Sequence, residues 1–378
     1  MKATLLLNLL LCLSFIAFAQ DDKITAEIKD LYQEEQFDKI ISKYGGKATA
    51  YPAKAVYYIG MAYYMKEDDQ NCLKMMELSI SKDSGNAFPY FIKGKTLQYL
   101  DQHYKAIESI NQAIKLSPDN AEFHSALGDS YNELNEPGKA LQAYSISVSK
   151  NDVPDRAFVM IPQMYNAMGD KAKALATFYT AKEKIAKESS SYITVLFNIG
   201  LYEYLDGNYD RAEQAYNELL SLAANDYHTY AKLIQVYYAR KEYVKATPLR
   251  DKLYDAYNKG LLKDNLEDMF CFDQFIWNGK RIQIFERFDE PEGKIYYKHI
   301  FYVVNENGDI EYSIQTENSP VSMEQGGPKY LIGMRKGNSH YTYNVGVEQN
   351  FNYEKLKNQV IDILDDKIKP TASTHPGK

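Results

Sequence analysis

Cysteine, tryptophan and histidine are scarce in this chain: three, one and six among 378 residues. So few cysteines exclude a small scaffold stapled by disulfides. The six histidines (His103, His124, His228, His299, His340, His375) stand far apart with no ligand spacing, and each reads as satisfied or solvated rather than as a metal ligand. No phosphate-binding loop, GxSxG, HExxH or paired CxxC occurs. Gly326-Gly327-Pro328 is a turn without the strand–loop–helix context a phosphate loop needs. Basic charge is also lacking. With 44 Lys and Arg against 51 Asp and Glu, the balance argues against nucleic acid, which wants a basic patch interleaved with aromatics. Tandem acids such as Glu34-Glu35, Asp68-Asp69 and Asp365-Asp366 fit solvated helix ends. The expectation is a non-enzyme without metal or cofactor.

Beyond the first twenty residues, no apolar run approaches membrane-spanning length. Those first residues have their own pattern. Lys2, the apolar stretch Leu5–Phe18 and the small-x-small triplet Ala17-Phe18-Ala19 form a signal peptide over residues 1–19, followed at once by Asp21-Asp22. Cys12 lies inside the apolar stretch behind the large Leu11, so it is not a lipoprotein cysteine. Cleavage removes Lys2 and no acid, leaving a processed chain one charge more negative than the −7 of the whole. The protein is expected to be exported, periplasmic or secreted. Cys72 and Cys271 remain. Cys72 reads as a small buried packing residue, and a disulfide between the two is not favoured.

What the sequence has in abundance is self-similarity. Gly60, Gly94, Gly128 and Pro162 stand 34 residues apart, as do Cys72, Ala106, Ala140 and Ala174, and Met76, Ile110, Tyr144 and Phe178. After a four-residue slip at Lys187–Ser191 the register resumes with Gly200, Ala212 and Tyr216, then Ile234, Ala246 and Arg250. A fixed period means one supersecondary unit stacked on copies of itself, each burying an apolar face its neighbour completes. In residues 121–154, His124, Leu127, Gly128 and Tyr131 share one face of a first helix. Asn135–Gly138 break it, and Ala140, Tyr144 and Ser147 share a face of a second. Gly128 and Ala140 are small where two antiparallel helices come closest.

This arrangement resembles the tetratricopeptide repeat, a helix–turn–helix unit of that length. Residues 87–120, 155–188 and 193–226 carry it well; 53–86 and 227–260 are looser, with Cys72 at the small position in one and Ile234 in place of glycine in the other. Leu31–Ile41 reads as an atypical leading copy about two residues short. The resemblance covers roughly residues 21–260. From about Asn265 the period changes to two. Phe270, Phe272, Phe275 and Trp277 begin it, Ile282 and Ile284 alternate with Arg281 and Gln283 in KRIQIFERF, and YYKHIFYVV and IEYSIQ follow. Asn278-Gly279 and Asn305–Asp309 are hairpin signals, and Tyr330–Met334 and Tyr341–Val347 add two strands across the loop Asn318–Pro328. Tyr353–Ile368 then fits a helix with Leu356, Val360, Ile363 and Leu364 on one face. The expected fold is an all-α solenoid of helix–turn–helix repeats followed by a small α+β domain of about six antiparallel strands and a C-terminal helix. Its parts are the signal peptide (1–19), a capping repeat (20–52), about six repeats (53–260), the β domain (265–368) and a disordered tail (369–378).

The resemblance implies a protein-binding scaffold, its groove engaging a protein or peptide. If the first helices line the concave side, the groove stripe comprises Tyr57, Met61, Tyr64, then Phe91, Lys95, Gln98, then Ser125, Asp129, Asn132. It continues with Val159, Gln163, Asn166, then Phe197, Leu201, Tyr204, and Ala231, Gln235, Tyr238. The stripe is aromatic or apolar at the flanks and polar in the middle. Amides such as Asn132, Gln163 and Asn166 suit the backbone of an extended peptide. The Lys/Asn/Arg set with which some family members hold a C-terminal carboxylate is missing from these positions. The array is compatible with self-association as well. The alternative is a small-molecule or glycan-binding module in the β domain, with Trp277 and its Tyr- and Phe-rich strands as a stacking surface.

Overall fold

In the computed structural model, residues 22–262, 270–289, 296–316, 329–347 and 353–374 are described. The leader, the loop Asn318–Pro328, the latter part of the connection Lys259–Asn265 and His375 lie outside them. A first helix, α1, covers 22–33. Then follow α2 (Phe37–Tyr44), a 3-10 segment (Gly45–Ala50), α3 (Ala53–Met65), α4 (Asp69–Lys82), α5 (Ala87–Tyr99) and α6 (His103–Leu116). Next come α7 (Ala121–Glu133), α8 (Pro137–Ser147), α9 (Asp155–Ala167) and α10 (Lys171–Lys184). The last hairpins are α11 (Ser190–Leu205) with α12 (Tyr209–Leu222), and α13 (Tyr227–Ala239) with α14 (Tyr243–Asn258).

The period has a visible physical cause. A Cβ on Gly94 would stand 2.5 Å from Ile110 Cγ1, one on Gly128 2.7 Å from Tyr144 Cε1, and one on Gly200 2.4 Å from Tyr216 Cε1. Each glycine thus lets the large residue sixteen places later lie against the first helix. The turns repeat too. Glu67, Asp101, Asn135, Gly169, Gly207 and Lys241 all have positive φ, between 54° and 82°. The N–H of the residue after each returns to the carbonyl five residues back in the first helix, as in Asp68 N to Tyr63 O, Gln102 N to Leu97 O and Glu136 N to Tyr131 O (2.8–3.0 Å). This is the left-handed C-cap with its long return bond. Glu35 (φ 56°), with Gln36 N bonded to Leu31 O, closes the leading copy in the same way. His103 is the first residue of α6, and Gln102 serves as its N-cap.

Seven strands follow: β1 (Cys271–Trp277), β2 (Lys280–Asp289), β3 (Tyr296–Val304), β4 (Ile310–Thr316), β5 (Lys329–Lys336), β6 (Ser339–Val347) and β7 (Ala372–Thr374). They form one antiparallel meander in chain order. A last helix, α15 (Tyr353–Leu364), precedes β7. It stops four residues before the expected end, where Asp366 takes φ 62°. The tail expected to be disordered contributes β7, whose Ala372, Ser373 and Thr374 pair with Thr342, Tyr341 and His340. All three are exposed, so backbone pairing alone fixes them and no apolar pattern announces the strand. At the start of β2 the alternation holds, with Ile282 and Ile284 buried and Arg281 exposed, but it breaks where Phe285 is buried beside Ile284 and Val304 beside Val303.

The chain forms two compact units, one reaching to Val195 and the other running from Leu196. The period ends near Gly260, whereas compactness divides the chain inside α11. The reason is a shared core. Tyr216, Leu233, Ile234, Val236 and Leu253 of the last two hairpins pack in one cluster with Phe272, Ile284, Phe301, Ile314 and Ile332 of the sheet and Leu356, Val360 and Ile363 of α15.

Candidate partner-binding groove

In the first unit the leading helices α3, α5, α7 and α9 touch in succession, so their stripe residues form a continuous row. At α3, Tyr57, Met61 and Tyr64 are half-buried against Cys72, Met76 and Ile92. Burial pushes the Tyr57 hydroxyl up to about 12 and the Cys72 thiol to about 11. Tyr64 lies 5.9 Å from the Tyr99 ring, and burial, then Tyr99, raise its hydroxyl. At α5, Phe91 packs on Phe123 with ring centroids 4.7 Å apart. The Gln98 amide is engaged inside the array, donating to Ala126 O and Ser130 Oγ at 2.7 Å each. Lys95 Nζ lies 6.0 Å from the Tyr99 ring centroid.

The charge at the centre of the row is neutralised. Asp129 is 7% exposed, accepts from Tyr144 Oη at 2.6 Å and pairs with Arg156 Nη2 at 2.9 Å. Burial pushes its carboxyl above the usual aspartate value, against the pull of Tyr144 and Arg156. Burial, then Asp129, raise the Tyr144 hydroxyl. Ser125 is buried and Val159 nearly so, leaving three amides at the surface of the row. Asn132 is half-exposed and 3.5 Å from Glu133 Oε1. Gln163 is half-exposed, Asn166 is exposed, and neither side chain bonds another protein group among the described residues.

In the second unit the stripe is already covered. Gln235 Nε2 donates to the backbone carbonyl of Cys271 at 2.5 Å. Tyr238 is buried, with its ring 6.0 Å from Phe272 and 5.1 Å from Tyr353. Phe197 and Tyr204 pack on the same core. The chain's own β1 and α15 therefore occupy the face that Gln235 and Tyr238 were expected to offer, while Phe197 and Tyr204 are packed into the core of the same unit. The sequence pattern could not show this, because a solvent-facing groove and a sheet-facing groove carry the same residues.

The Trp277 indole N–H donates to Asp365 Oδ1 at 2.8 Å, and the ring packs on the core. A cleft of about 350 Å³ between two hairpin tips is lined by Asn278, Gly279, Lys280, Asn305, Glu306, Asn307 and Glu311, without an aromatic ring. A buried polar knot nearby was not foreseen. Asp273 accepts from Tyr353 Oη at 2.8 Å and from Lys357 Nζ at 2.9 Å, tying α15 to β1. A lone strand aspartate carries no sequence signal of such a partner. His124 is satisfied as expected, its Nε2 being 2.8 Å from Pro118 O. Among the described residues no cluster could hold a metal ion, and no helix is long and apolar enough to cross a membrane.

Residues 94–135 match the TPR repeat family and residues 193–226 the tetratricopeptide repeat family. The helical hairpins are tetratricopeptide repeats. The TPR repeat-containing protein MJ1428 of Methanocaldococcus jannaschii is 24% identical over 311 residues, 74% of this chain and 51% of its own length. Cell division cycle protein 27 homolog A of Arabidopsis thaliana is 27% identical over 100 residues, 26% of this chain and 14% of its own. The chain thus spans about half or less of the curated relatives it matches. Among solved structures, that of PilW, a type IV pilus biogenesis factor, is 17% identical and covers 55% of this chain and 94% of its own, with a TM-score of 0.46. Tetratricopeptide repeats are protein-interaction scaffolds and are generally not catalytic.

Proposed function

We propose that this is an exported, non-enzymatic scaffold whose tetratricopeptide groove holds a protein or peptide partner in the cell envelope, at the stripe of α5, α7 and α9. One observation carries the reading. In the first unit Asn132, Gln163 and Asn166 present amides along a single row, flanked by Phe91, Tyr64 and Tyr57, while every stripe residue of the last hairpin that could serve is engaged with the sheet. Polar groups beside aromatic anchors are what a peptide groove requires. Export rests on the leader Met1–Ala19 alone.

The test is a comparison in the native host. The chain with Asn132, Gln163 and Asn166 all changed to alanine, and the unaltered chain, are each cross-linked in intact cells and recovered from the envelope fraction. The expected result is a partner that co-purifies with the unaltered chain and is lost from the variant, on a protein whose intact mass lacks residues 1–19. Equal recovery of the partner would sink the groove assignment, and an uncleaved chain in the cytoplasm would sink the export.

A further inference from the structure

The sheet has a second face, turned away from the shared core. Residues paired across strands point the same way, so the pairings carry one row of side chains from β1 to β6: Gln274, Gln283, Tyr302, Ser313, Arg335 and His340. A second such row is Cys271, Phe285, Ile300, Gln315, Gly333 and Thr342. The row between them, Ile284, Phe301, Ile314 and Met334, is buried in the core, which puts the other two on the outer side. Cys271, Phe285 and Ile300 form a small buried cluster with Tyr302 against it, and the rest is polar. In a chain of net charge −7 with 25% charged residues, Arg335 alone among these twelve is charged and none is an acid. A merely solvated face carries lysine and glutamate, whereas a binding face is depleted of them and keeps arginine and tyrosine. Arg335 is exposed and Gln274, Gln283, Ser313 and Gln315 are half-exposed, and none of these five side chains bonds another protein group among the described residues.

We propose that this outer face binds a linear acidic polysaccharide laid along the row, with Arg335 on a carboxylate or sulfate and the amides and hydroxyls on ring hydroxyls. This is independent of the groove. Strands place a polar side chain about every 4.8 Å along the row, and a sugar chain offers hydroxyls along its whole length. Exposed Arg281, in the row beyond Gln283, adds a second cation, and the lack of acids leaves nothing in the rows to repel an anion. An extended peptide would join the sheet at an edge, through backbone bonds, whereas this face offers side chains alone. A folded protein would need an accessible apolar centre, and here Cys271, Phe285 and Ile300 are buried. Nucleic acid needs a denser basic patch. Trp277, Tyr312 and Tyr341 pack on the inner core, so recognition here is by hydrogen bonds and charge and not by stacking on Trp277.

Affinity electrophoresis of the full-length protein, in gels holding polygalacturonate, dextran sulfate or dextran, tests this. Arg335→Gln and Gln283→Ala are compared with the parent, each first shown to melt like it. At least one acidic polymer should retard the parent, and dextran should not; which of the two binds tells carboxylate from sulfate. Arg335→Gln should raise the apparent Kd about 10-fold, the worth of a charge-assisted hydrogen bond, and Gln283→Ala about 3-fold. The variant with Asn132, Gln163 and Asn166 changed to alanine should bind the polymer like the parent; if it does not, the polymer lies in the groove and the assignment is wrong. No retardation by either acidic polymer, equal retardation by dextran, or an unchanged Kd in both sheet variants also overturns it. Tighter binding of polyglutamate than of both acidic polysaccharides would make the partner an acidic protein and overturn the class.

Discussion

At the scale of single residues, small-opposite-large pairing makes the repeat. Gly128 faces Tyr144 and Gly200 faces Tyr216, both rings fully buried, and Gly60 faces the Cε end of Met76 at 2.7 Å and Met75 Cβ at 2.9 Å, whereas Gly46 has open space around it. Overpacking against a fixed ring forces backbone to move, at about 1–3 kcal/mol. Gly128→Ala and Gly200→Ala should therefore lower the urea midpoint clearly, and Gly46→Ala, whose added Cβ meets nothing within 4 Å, should lower it far less. Equal losses in all three would show that ring contact is not the cause. This pairing was legible before any coordinates, because residues sixteen apart changed together: where Ile234 replaces the glycine, Arg250 replaces the large apolar residue and donates to Tyr238 Oη at 3.1 Å. The buried Asp129 was not legible. Its place on the stripe is that of an exposed groove residue, and only Tyr144 and Arg156, from the hairpin's second helix and the next hairpin, explain its burial.

At the scale of elements, each hairpin depends on a residue in left-handed conformation that most side chains resist. Glu67 is exposed there, with φ 57° and no tertiary role, whereas Asn135 at the same place is a residue type that accepts it. Glu67→Gly should raise stability by about 1 kcal/mol and Asn135→Gly by less, read from denaturant midpoints; a loss for Glu67→Gly would refute the strain. Just beyond the turn a second pattern recurs. Lys139, Lys173 and Lys245 lie 5.4, 5.7 and 5.5 Å from the rings of Tyr131, Tyr165 and Tyr237, eight residues before each. In the α11–α12 hairpin Arg211 meets the buried Glu203 at that place, 3.5 Å away. One site therefore accepts either a ring or a carboxylate under its cation. Strands with a buried face were partly readable, since Ile282 and Ile314 stand between polar neighbours, whereas Ile332 stands between Leu331 and Gly333. β7 was invisible for the converse reason: three small exposed residues leave no trace in hydropathy.

At the scale of the whole molecule, a change of sequence period proved a poor guide to where cohesion ends. Helices α12–α14 bury Leu233, Val236, Tyr237 and Leu253 in the core that the sheet and α15 complete. A chain ending at Gly260 should accordingly lose amide-exchange protection across 209–258 while keeping it in α3–α10; intact protection in α13 would show the last hairpins to be self-sufficient. Repeat arrays need a terminal element with a polar outer face, and here a sheet of different ancestry in pattern takes that position, pinned by Gln235 to β1 and by Tyr243 Oη to Glu354 at 2.5 Å. Those pins are particular to α13 and α14. A duplicated 34-residue block inserted among α3–α10 meets only the generic glycine-and-ring joint, while one inserted after α14 would strand the sheet on a hairpin that lacks its anchors. The joint with the sheet thus ties α13 and α14 to the end of the array, and added repeats fit only ahead of them.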